Sequence, residues 1–207
     1  MATYEKISSK GIMHVEMNVS GKTKSVMGIT TLVVRNREWL NDQLIEDSSH
    51  WVAQDREENV WNFGEAVDHY KDGKLIDHIG SWEAGVAGAK PGILMLGKPK
   101  VGDVYREEYY PGKAEDMRTV VAVGKSLAVP QGPFFENCVQ IRDWSRMNSN
   151  SGHKYFCVGV GLMVLEDEGD AEPLKLVGFS TQYVPKLRWA RGSLASQKEM
   201  LAEYTSR

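Results

Sequence analysis

The sequence is poor in cysteine and has no long apolar run, and these shortages exclude several classes of protein. Two cysteines in 207 residues provide neither a disulfide-rich framework nor a four-ligand zinc site. No apolar run approaches the roughly 18–20 residues that a membrane-spanning helix needs. Gly and Pro number 20 and 7, which is close to average usage and excludes collagen-like and low-complexity chains. We therefore expect a soluble globular chain with no membrane span.

An excess of basic residues is also missing. Lys and Arg number 25 against 28 Asp and Glu, for a net charge of -3, so nothing favours a nucleic acid as a partner. The five histidines are scattered without metal-ligand spacing, and no glycine-rich loop opens a helix that could hold phosphate. We predict no metal site and no cofactor.

The first residues do not contain the apolar segment of a secretory signal. The chain as it stands is therefore expected to be cytoplasmic, with a secreted form that has lost its signal as the alternative.

Alternating strands of five to twelve residues, separated by turn residues, predict a mainly β fold with an antiparallel meander. Asn41-Asp42 and Asp72-Gly73 are the clearest hairpin turns. A turn is also expected at Ser20-Gly21-Lys22, and a long glycine-rich loop over 84–100. About ten strands over residues 1–184 would form one β-barrel or a strongly curved half-barrel.

Only residues 185–207 look helical. Leu187, Leu194, Leu201 and Tyr204 recur at helical spacing, so the segment is predicted to pack on the sheet as a C-terminal helix. The same stripe could instead form the seam of a homodimer.

The Asp72-Gly73 hairpin supplies the first candidate site. A two-residue turn sets Phe63 opposite Trp82 and places Glu65 diagonal to both His78 and Trp82. A carboxyl group among aromatic rings and beside an imidazole suits proton transfer near neutrality. The plainer interpretation is an ordinary ion pair at a sheet margin, or two solvated side chains.

Large aromatic residues supply the second candidate. We predict that the mouth of the barrel is a pocket for an apolar or aromatic small molecule, lined by Trp51, Trp61, Phe63 and Trp82. Glu83 and Lys90 would contribute polar contacts from the long loop, which is equally well interpreted as a structural Ω-loop.

Residues 105–116 combine phenols with carboxylates. Strict alternation would put Tyr105, Glu107 and Tyr109 on one face, suited to a polar ligand, a cation or, with Glu115 and Asp116, Ca²⁺. The alternative is an exposed strand face on which Arg106 pairs with acids.

The two cysteines lie on strands that flank residues 146–150. A turn centred between Met147 and Asn148 brings Cys138 opposite Cys157, so a cross-strand disulfide is possible. Two buried free thiols are the favoured expectation.

Four long motifs resemble a family of uncharacterised bacterial β-rich domains, many of which are secreted or are lipoproteins. The motifs are WVAQD at 51–55, NVWNFGE at 59–65, the segment 80–93, and YREEYYPGKAED at 105–116. The resemblance runs from about Val33 to Leu165 and implies a β-rich domain without any established activity. Glu58 stands where that family tends to have glycine.

Two functions follow as expectations. A ligand-binding or carrier protein needs only the aromatic pocket. A cofactor-independent lyase, isomerase or cyclase needs in addition an acid–base pair, for which Glu65 and His78 are the candidates, with Tyr109 as an electrophile.

Overall fold

The computed structural model describes residues 1–129, 133–149, 151–160, 163–167 and 172–180. These residues form 14 strands and no helix, so the mainly β prediction is confirmed. In chain order the strands are β1 Ala2–Ser8, β2 Gly11–Val26, β3 Ile29–Leu40, β4 Gln43–Gln54, β5 Val60–Lys71, β6 Lys74–Asp77, β7 Trp82–Glu83, β8 Gly92–Met95, β9 Val104–Arg106, β10 Asp116–Ala128, β11 Phe134–Ser145, β12 Ser151–Cys157, β13 Met163–Asp167 and β14 Leu174–Phe179.

All strands belong to one antiparallel sheet whose neighbours follow the order β6-β5-β4-β3-β2-β1-β14-β13-β12-β11-β10-β9, with β7 and β8 also pairing with β5. Trp51 and Phe63, on β4 and β5, share a core cluster with Val120 and Ile141 on β10 and β11. These strands are far apart in the order, so the sheet curls until its two halves face each other. We call the face turned toward this interior the inner face.

The sheet is not closed into a barrel, which corrects the closed-barrel expectation. Its pairing path ends at β6 and β9. A single bridge joins Lys90 to Tyr109, where the Lys90 N–H donates to the Tyr109 carbonyl at 2.8 Å.

Two of the three predicted turns are confirmed. Asn41 and Asp42 adopt φ of 50° and 63°, and Asp72 and Gly73 adopt 52° and 71°, as two-residue hairpins require. The third prediction is wrong, because β2 continues through Gly21 as a bulge and turns only at Met27 and Gly28.

Other boundaries also differ from the sequence prediction. β8 lies within residues 84–100, for which the sequence predicts a loop, and the described residues form 14 strands where about ten are predicted. The predicted helix and dimer seam at 185–207 lie outside the described residues. In the part of the chain that is described, no helix is long and apolar enough to cross a membrane.

Candidate functional site

The aromatic residues predicted to line a pocket are packed as core. Trp51, Trp61, Phe63 and Trp82 are all buried in one cluster, in which they contact small and aliphatic residues such as Ala84, Ala89 and Ile93. Trp61 also donates its indole N–H to Asp55 at 2.8 Å. These side chains fill the space between them by packing against one another.

A cavity lies elsewhere on the inner face and is lined mainly by polar groups. Its volume is about 580 Å³, within the range of small-molecule sites. Its walls are formed by Glu107, Glu108, Asp116, Asp143, Trp144, Ser145, Asn148, Ser151, Gly152, Lys154 and Glu166. Five of these residues carry carboxyl groups and one carries an amine, so the walls have an excess of acid.

A bulge after β9 brings two consecutive glutamates to this cavity. The N–H groups of both Glu107 and Glu108 donate to the carbonyl of Asp116, at 2.8 and 3.1 Å. Two residues therefore oppose one, and the alternation assumed from the sequence ends there. The side chain of Glu108, predicted to point away from Glu107, instead lines the same cavity.

Two buried cations neutralise part of the acid. Arg118 on β10 is 2% exposed, pairs with Glu107 at 2.7 Å and Asp143 at 3.0 Å, and donates to the carbonyl of Leu94. Lys154 on β12 contacts Asp143 at 2.7 Å and Glu166 at 3.3 Å.

Lys154 remains protonated in this setting. Burial acts to lower its pKa, but the neighbouring carboxylates of Glu166, Asp143 and Glu107 outweigh burial and raise it. By contrast, Glu108 and Asp116 form no ion pair with any described residue.

Glu65 lies on the inner face, as predicted, but its partner is His50 and not His78. The Glu65 Oε2 atom is 3.2 Å from Nδ1 of His50, the residue directly opposite it on β4. The carboxyl group of Glu65 also hydrogen bonds to that of Glu108. Because Glu108 lines the cavity, we call Glu65 and Glu108 the acid pair.

His78 is displaced by an irregularity in the hairpin. Pairing shifts by one residue between His69 and Tyr70, so Asp77 lies opposite His69. The His78 side chain is 64% exposed and its Nδ1 is 2.7 Å from Asp68. The predicted proximity of Glu65 and His78 is therefore wrong.

The predicted pairing of Phe63 with Trp82 is also wrong. After β6 the chain returns to β5 with Trp82 opposite Glu65 and Glu83 opposite Gly64. Gly64 has φ of 122°, and a Cβ added there would lie 2.3 Å from the Trp82 carbonyl. A glycine is thus required for β7 to approach β5, and this approach lets the Trp82 indole N–H donate to Glu108 at 3.3 Å.

Burial changes the protonation of Glu65 and His50. It raises the pKa of Glu65 to about 9, with further increases from the charge of Glu108 and the hydrogen bond to it. Burial lowers the pKa of His50 to about 4, and the charges of Lys154 and Arg118 act in the same direction. At neutral pH the site therefore contains a neutral carboxylic acid beside a neutral imidazole.

Three buried polar side-chain atoms have neither a hydrogen bond nor an ion pair among the described residues: the Tyr105 hydroxyl, Asn36 Oδ1 and Ser48 Oγ. Tyr105 is 4% exposed and lies opposite Arg118. Arg118 in turn binds Glu107 and Asp143, two residues of the cavity wall. A buried unsatisfied hydroxyl is a position where a ligand group or water gains a hydrogen bond.

The remaining predicted site residues surround the aromatic core and do not line the cavity. Glu83 binds Lys24 at 2.7 Å, and the Lys24 ammonium lies 3.3 Å from the Trp51 ring centroid. Lys90 and Arg106 lie over the Tyr109 ring, at 5.2 and 4.4 Å.

Calcium binding by Glu107, Glu115 and Asp116 finds no support in the geometry. Glu115 is engaged instead by Arg106 at 3.5 Å and by Arg146 at 3.8 Å. Within the described ranges, no group of three or more His, Cys, Asp or Glu side chains is arranged to hold a metal ion.

The cysteines form a disulfide, so the expectation of two free thiols is wrong. The register that placed them opposite each other is confirmed, since Cys138 pairs with Cys157 across β11 and β12. These two strands also carry Asp143 and Lys154, so the bond ties two strands of the cavity wall together.

Comparison with protein-family models, with curated proteins and with solved structures finds no match to this chain. The resemblance to bacterial β-rich domains therefore stays a prediction. Glu58 adopts a φ of 71°, a conformation that glycine favours.

Proposed function

We propose that the protein binds a small organic cation, with an apolar or aromatic part, in the cavity of its inner face. The observation that carries the proposal is the wall composition of this 580 Å³ space, in which five carboxyl groups accompany one amine. Carboxylates that lack a protein cation, such as Glu108 and Asp116, favour a ligand that brings positive charge.

The ligand class differs from the apolar one that the sequence suggests. Trp144 is the one aromatic residue in the wall, but its indole N–H donates to Thr119 at 3.0 Å, on the face of the strands opposite to Arg118 and Asp143. The buried hydroxyl of Tyr105, which has no hydrogen-bond partner among the described residues, lies on the strand beside Arg118 and offers one more polar group.

The test compares three ligands of similar shape. Benzylguanidine is a cation, benzylurea is its neutral isostere, and phenylacetate is an anion; binding is followed by calorimetry and by tryptophan fluorescence. We expect benzylguanidine to bind, benzylurea to bind more weakly and phenylacetate not to bind. Equal binding of benzylurea and benzylguanidine, or no binding of benzylguanidine, choline and agmatine alike, would overturn the proposal.

A pair of variants of equal charge change locates the site. Asp116→Asn removes a carboxylate from the cavity wall, and Glu57→Gln removes one from an exposed turn. Loss of a charged hydrogen bond costs about 1.5–3 kcal/mol, so Asp116→Asn should weaken benzylguanidine about tenfold or more. Glu57→Gln should leave its affinity unchanged.

A second candidate function is a cofactor-independent lyase, isomerase or cyclase. The observation that favours it is the contact between a protonated carboxyl and a carboxylate, Glu65 and Glu108, beside a cavity. His50 takes the place that the sequence gives to His78. Product analysis of every compound that binds separates the two functions: a carrier returns each ligand unchanged, whereas an enzyme converts at least one and loses turnover in Glu65→Gln.

The disulfide supports the secreted alternative for the location of the protein. Disulfides persist in oxidising compartments and are rare in the cytosol. Thiol alkylation of protein recovered from its native compartment, with and without prior reduction, tests this proposal through Cys138 and Cys157.

A further inference from the structure

One margin of the curled sheet is covered along part of its length and open along the rest. Strands β6, β7 and β8 all pair with β5 on the side away from β4, so together they form this margin. At β8 the margin lies against the chain after β9, because a Cβ added to Gly92 would lie 2.0 Å from the carbonyl oxygen of Glu107. At β6 the pairing path ends. Among the described residues, β6 therefore has a neighbouring strand on one side only.

The open strand β6 exposes apolar side chains. Leu75 is 49% exposed and Ile76 is 57% exposed, and no other two consecutive large apolar residues of the described ranges are both exposed. An edge strand presents unpaired backbone groups to which a further strand can bind. Charges on an edge strand discourage unrelated partners, and here Lys74 and Asp77 stand at the two ends of the strand. The two charges therefore decide which strand fits this edge.

The register of the hairpin places both charges on one face of the sheet. Lys74 and Asp77 lie opposite residues 71 and 69 of β5, which are two positions apart and so share a face. Leu75 lies opposite Tyr70 and belongs to the other face. Ile76 is the extra residue of the bulge between these pairs. Lys74 and Asp77 consequently flank the two apolar residues from the same side.

The sequence of β6 is complementary to itself in the antiparallel direction. When a twofold axis sets Leu75 of one copy opposite Ile76 of another, Lys74 of each copy lies opposite Asp77 of the other copy. Both pairs of opposite charge then fall on the same face, with the apolar pairs between them. Opposite charges directly across two strands are stabilising, and like charges are destabilising. A parallel pair in register would set Lys74 against Lys74, so the charges select the antiparallel arrangement.

We propose that two copies of this chain associate through β6, edge to edge and antiparallel, so that their sheets continue across the contact. The association is separate from the proposed ligand binding, because β6 contributes no residue to the cavity wall. A contact of four residues a side is much smaller than the roughly 800 Å² per partner of a stable interface. We therefore expect a weak dimer whose fraction rises with protein concentration.

Sedimentation velocity of the full chain over a wide range of concentrations tests the contact. Lys74→Asp gives β6 an acid at both ends, and Asp77→Lys gives it a base at both ends. Each change turns both charge pairs of the dimer into like-charge pairs, so the dissociation constant of either variant alone should rise about tenfold or more. An equimolar mixture of the two variants should associate again, because every pair in the mixed dimer has opposite charges. The double variant should dimerise like the wild-type chain for the same reason.

Lys22→Asp is the matched control, because it reverses a charge at an exposed position of β2, which has a neighbouring strand on both sides. It should dimerise like the wild-type chain. A wild-type chain that stays monomeric at every concentration overturns the inference, and so does a mixture that fails to associate. A dimer that persists with unchanged affinity in Lys74→Asp also overturns it, by placing the contact on another surface. Should Asp77→Lys fail to fold, because Asp77 also lies 2.6 Å from His69, the comparison of Lys74→Asp with the wild-type chain decides the question.

Discussion

Two regions of the interior are built from opposite kinds of side chain. Around Trp61 and Phe63 the inner face is closed by aromatic and aliphatic packing. Around Arg118 and Lys154 it is held by ion pairs that surround a cavity. Residues that look like a ligand pocket in the sequence have become core, and residues that look like an exposed strand face have become the candidate site.

Mutations in the aromatic region should lower the free energy of unfolding only through loss of packing. Phe63→Ala removes a side chain that is 1% exposed, and large-to-small changes of this kind cost about 3–5 kcal/mol of unfolding free energy. Phe134→Ala, at a side chain that is mostly exposed, should cost almost nothing. Urea unfolding of both variants should give the same differences at neutral and at acidic pH.

A mutation in the charged region should lower the free energy of unfolding by a similar amount at neutral pH. In acid, part of that loss should disappear. Arg118→Met leaves Glu107 and Asp143 buried without their guanidinium partner, at a cost of about 3–5 kcal/mol. Acidification protonates these carboxyl groups and relieves the cost. Arg35→Met, which breaks the largely exposed pair with Asp47, should cost about 1 kcal/mol or less. A pH-independent loss for Arg118→Met would remove the distinction between the two regions.

The disulfide lies in the charged region, because it joins the two strands that carry Asp143 and Lys154. Reduction, or the double change Cys138→Ser and Cys157→Ser, opens a loop with a sequence separation of 19 and should lower stability by about 2–3 kcal/mol. Because β11 and β12 carry Asp143 and Lys154, benzylguanidine binding should weaken with it. Unchanged binding after reduction would show that the strand pairing alone holds the cavity wall.

The acid pair should give the folded state a pH dependence of its own. The pKa of Glu65 is raised to about 9, so between its ordinary value and 9 the folded chain holds a proton that the unfolded chain has lost. Stability therefore falls as pH rises through this interval. His50 acts in the opposite direction: its pKa is lowered to about 4, so stability is lost as pH falls from about 6.5 toward 4.

The two slopes oppose each other in weak acid. Above about pH 6.5 the effect of His50 is complete, and burial also raises the pKa of Glu107 to about 8, so Glu65 and Glu107 both lower stability as pH rises. We expect the melting temperature to fall from neutral pH toward pH 9, and Glu65→Gln to flatten that decline. A decline of the same size in Glu65→Gln would assign the effect to other groups.

Much of the fold could be predicted because local signals determine it. Two-residue turns such as Asn41-Asp42 and Asp72-Gly73 fix the pairing of their own strands, and the turn after Trp144 places Cys138 against Cys157. The oxidation state of these cysteines could not be predicted, because register shows that a bond is possible and says nothing about whether it forms.

The residues of the candidate site could not be predicted from the sequence because bulges interrupt the alternation of side chains. Alternation assigns each residue to a face only while the register is unbroken, and one inserted residue reverses every later assignment. The insertion at Glu107 and Glu108 brings both side chains to the cavity, and the shift after His69 moves His78 outward. Glu65 pairs with His50 on β4, and no turn residue near Glu65 predicts this pairing.

The smallest expected effect belongs to His78, the residue that alternation placed beside Glu65. Its imidazole is largely exposed and its contact with Asp68 is an ordinary surface pair, for which a contribution of about 0–1 kcal/mol is typical. His78→Ala should therefore leave benzylguanidine affinity and the alkaline decline in stability unchanged. His50→Ala removes the imidazole that touches Glu65 and should change the latter. Calorimetry and thermal unfolding of the two variants make the comparison direct, because each loses one imidazole beside one carboxyl group. If His78→Ala alters the alkaline decline while His50→Ala does not, Glu65 is not the group that titrates.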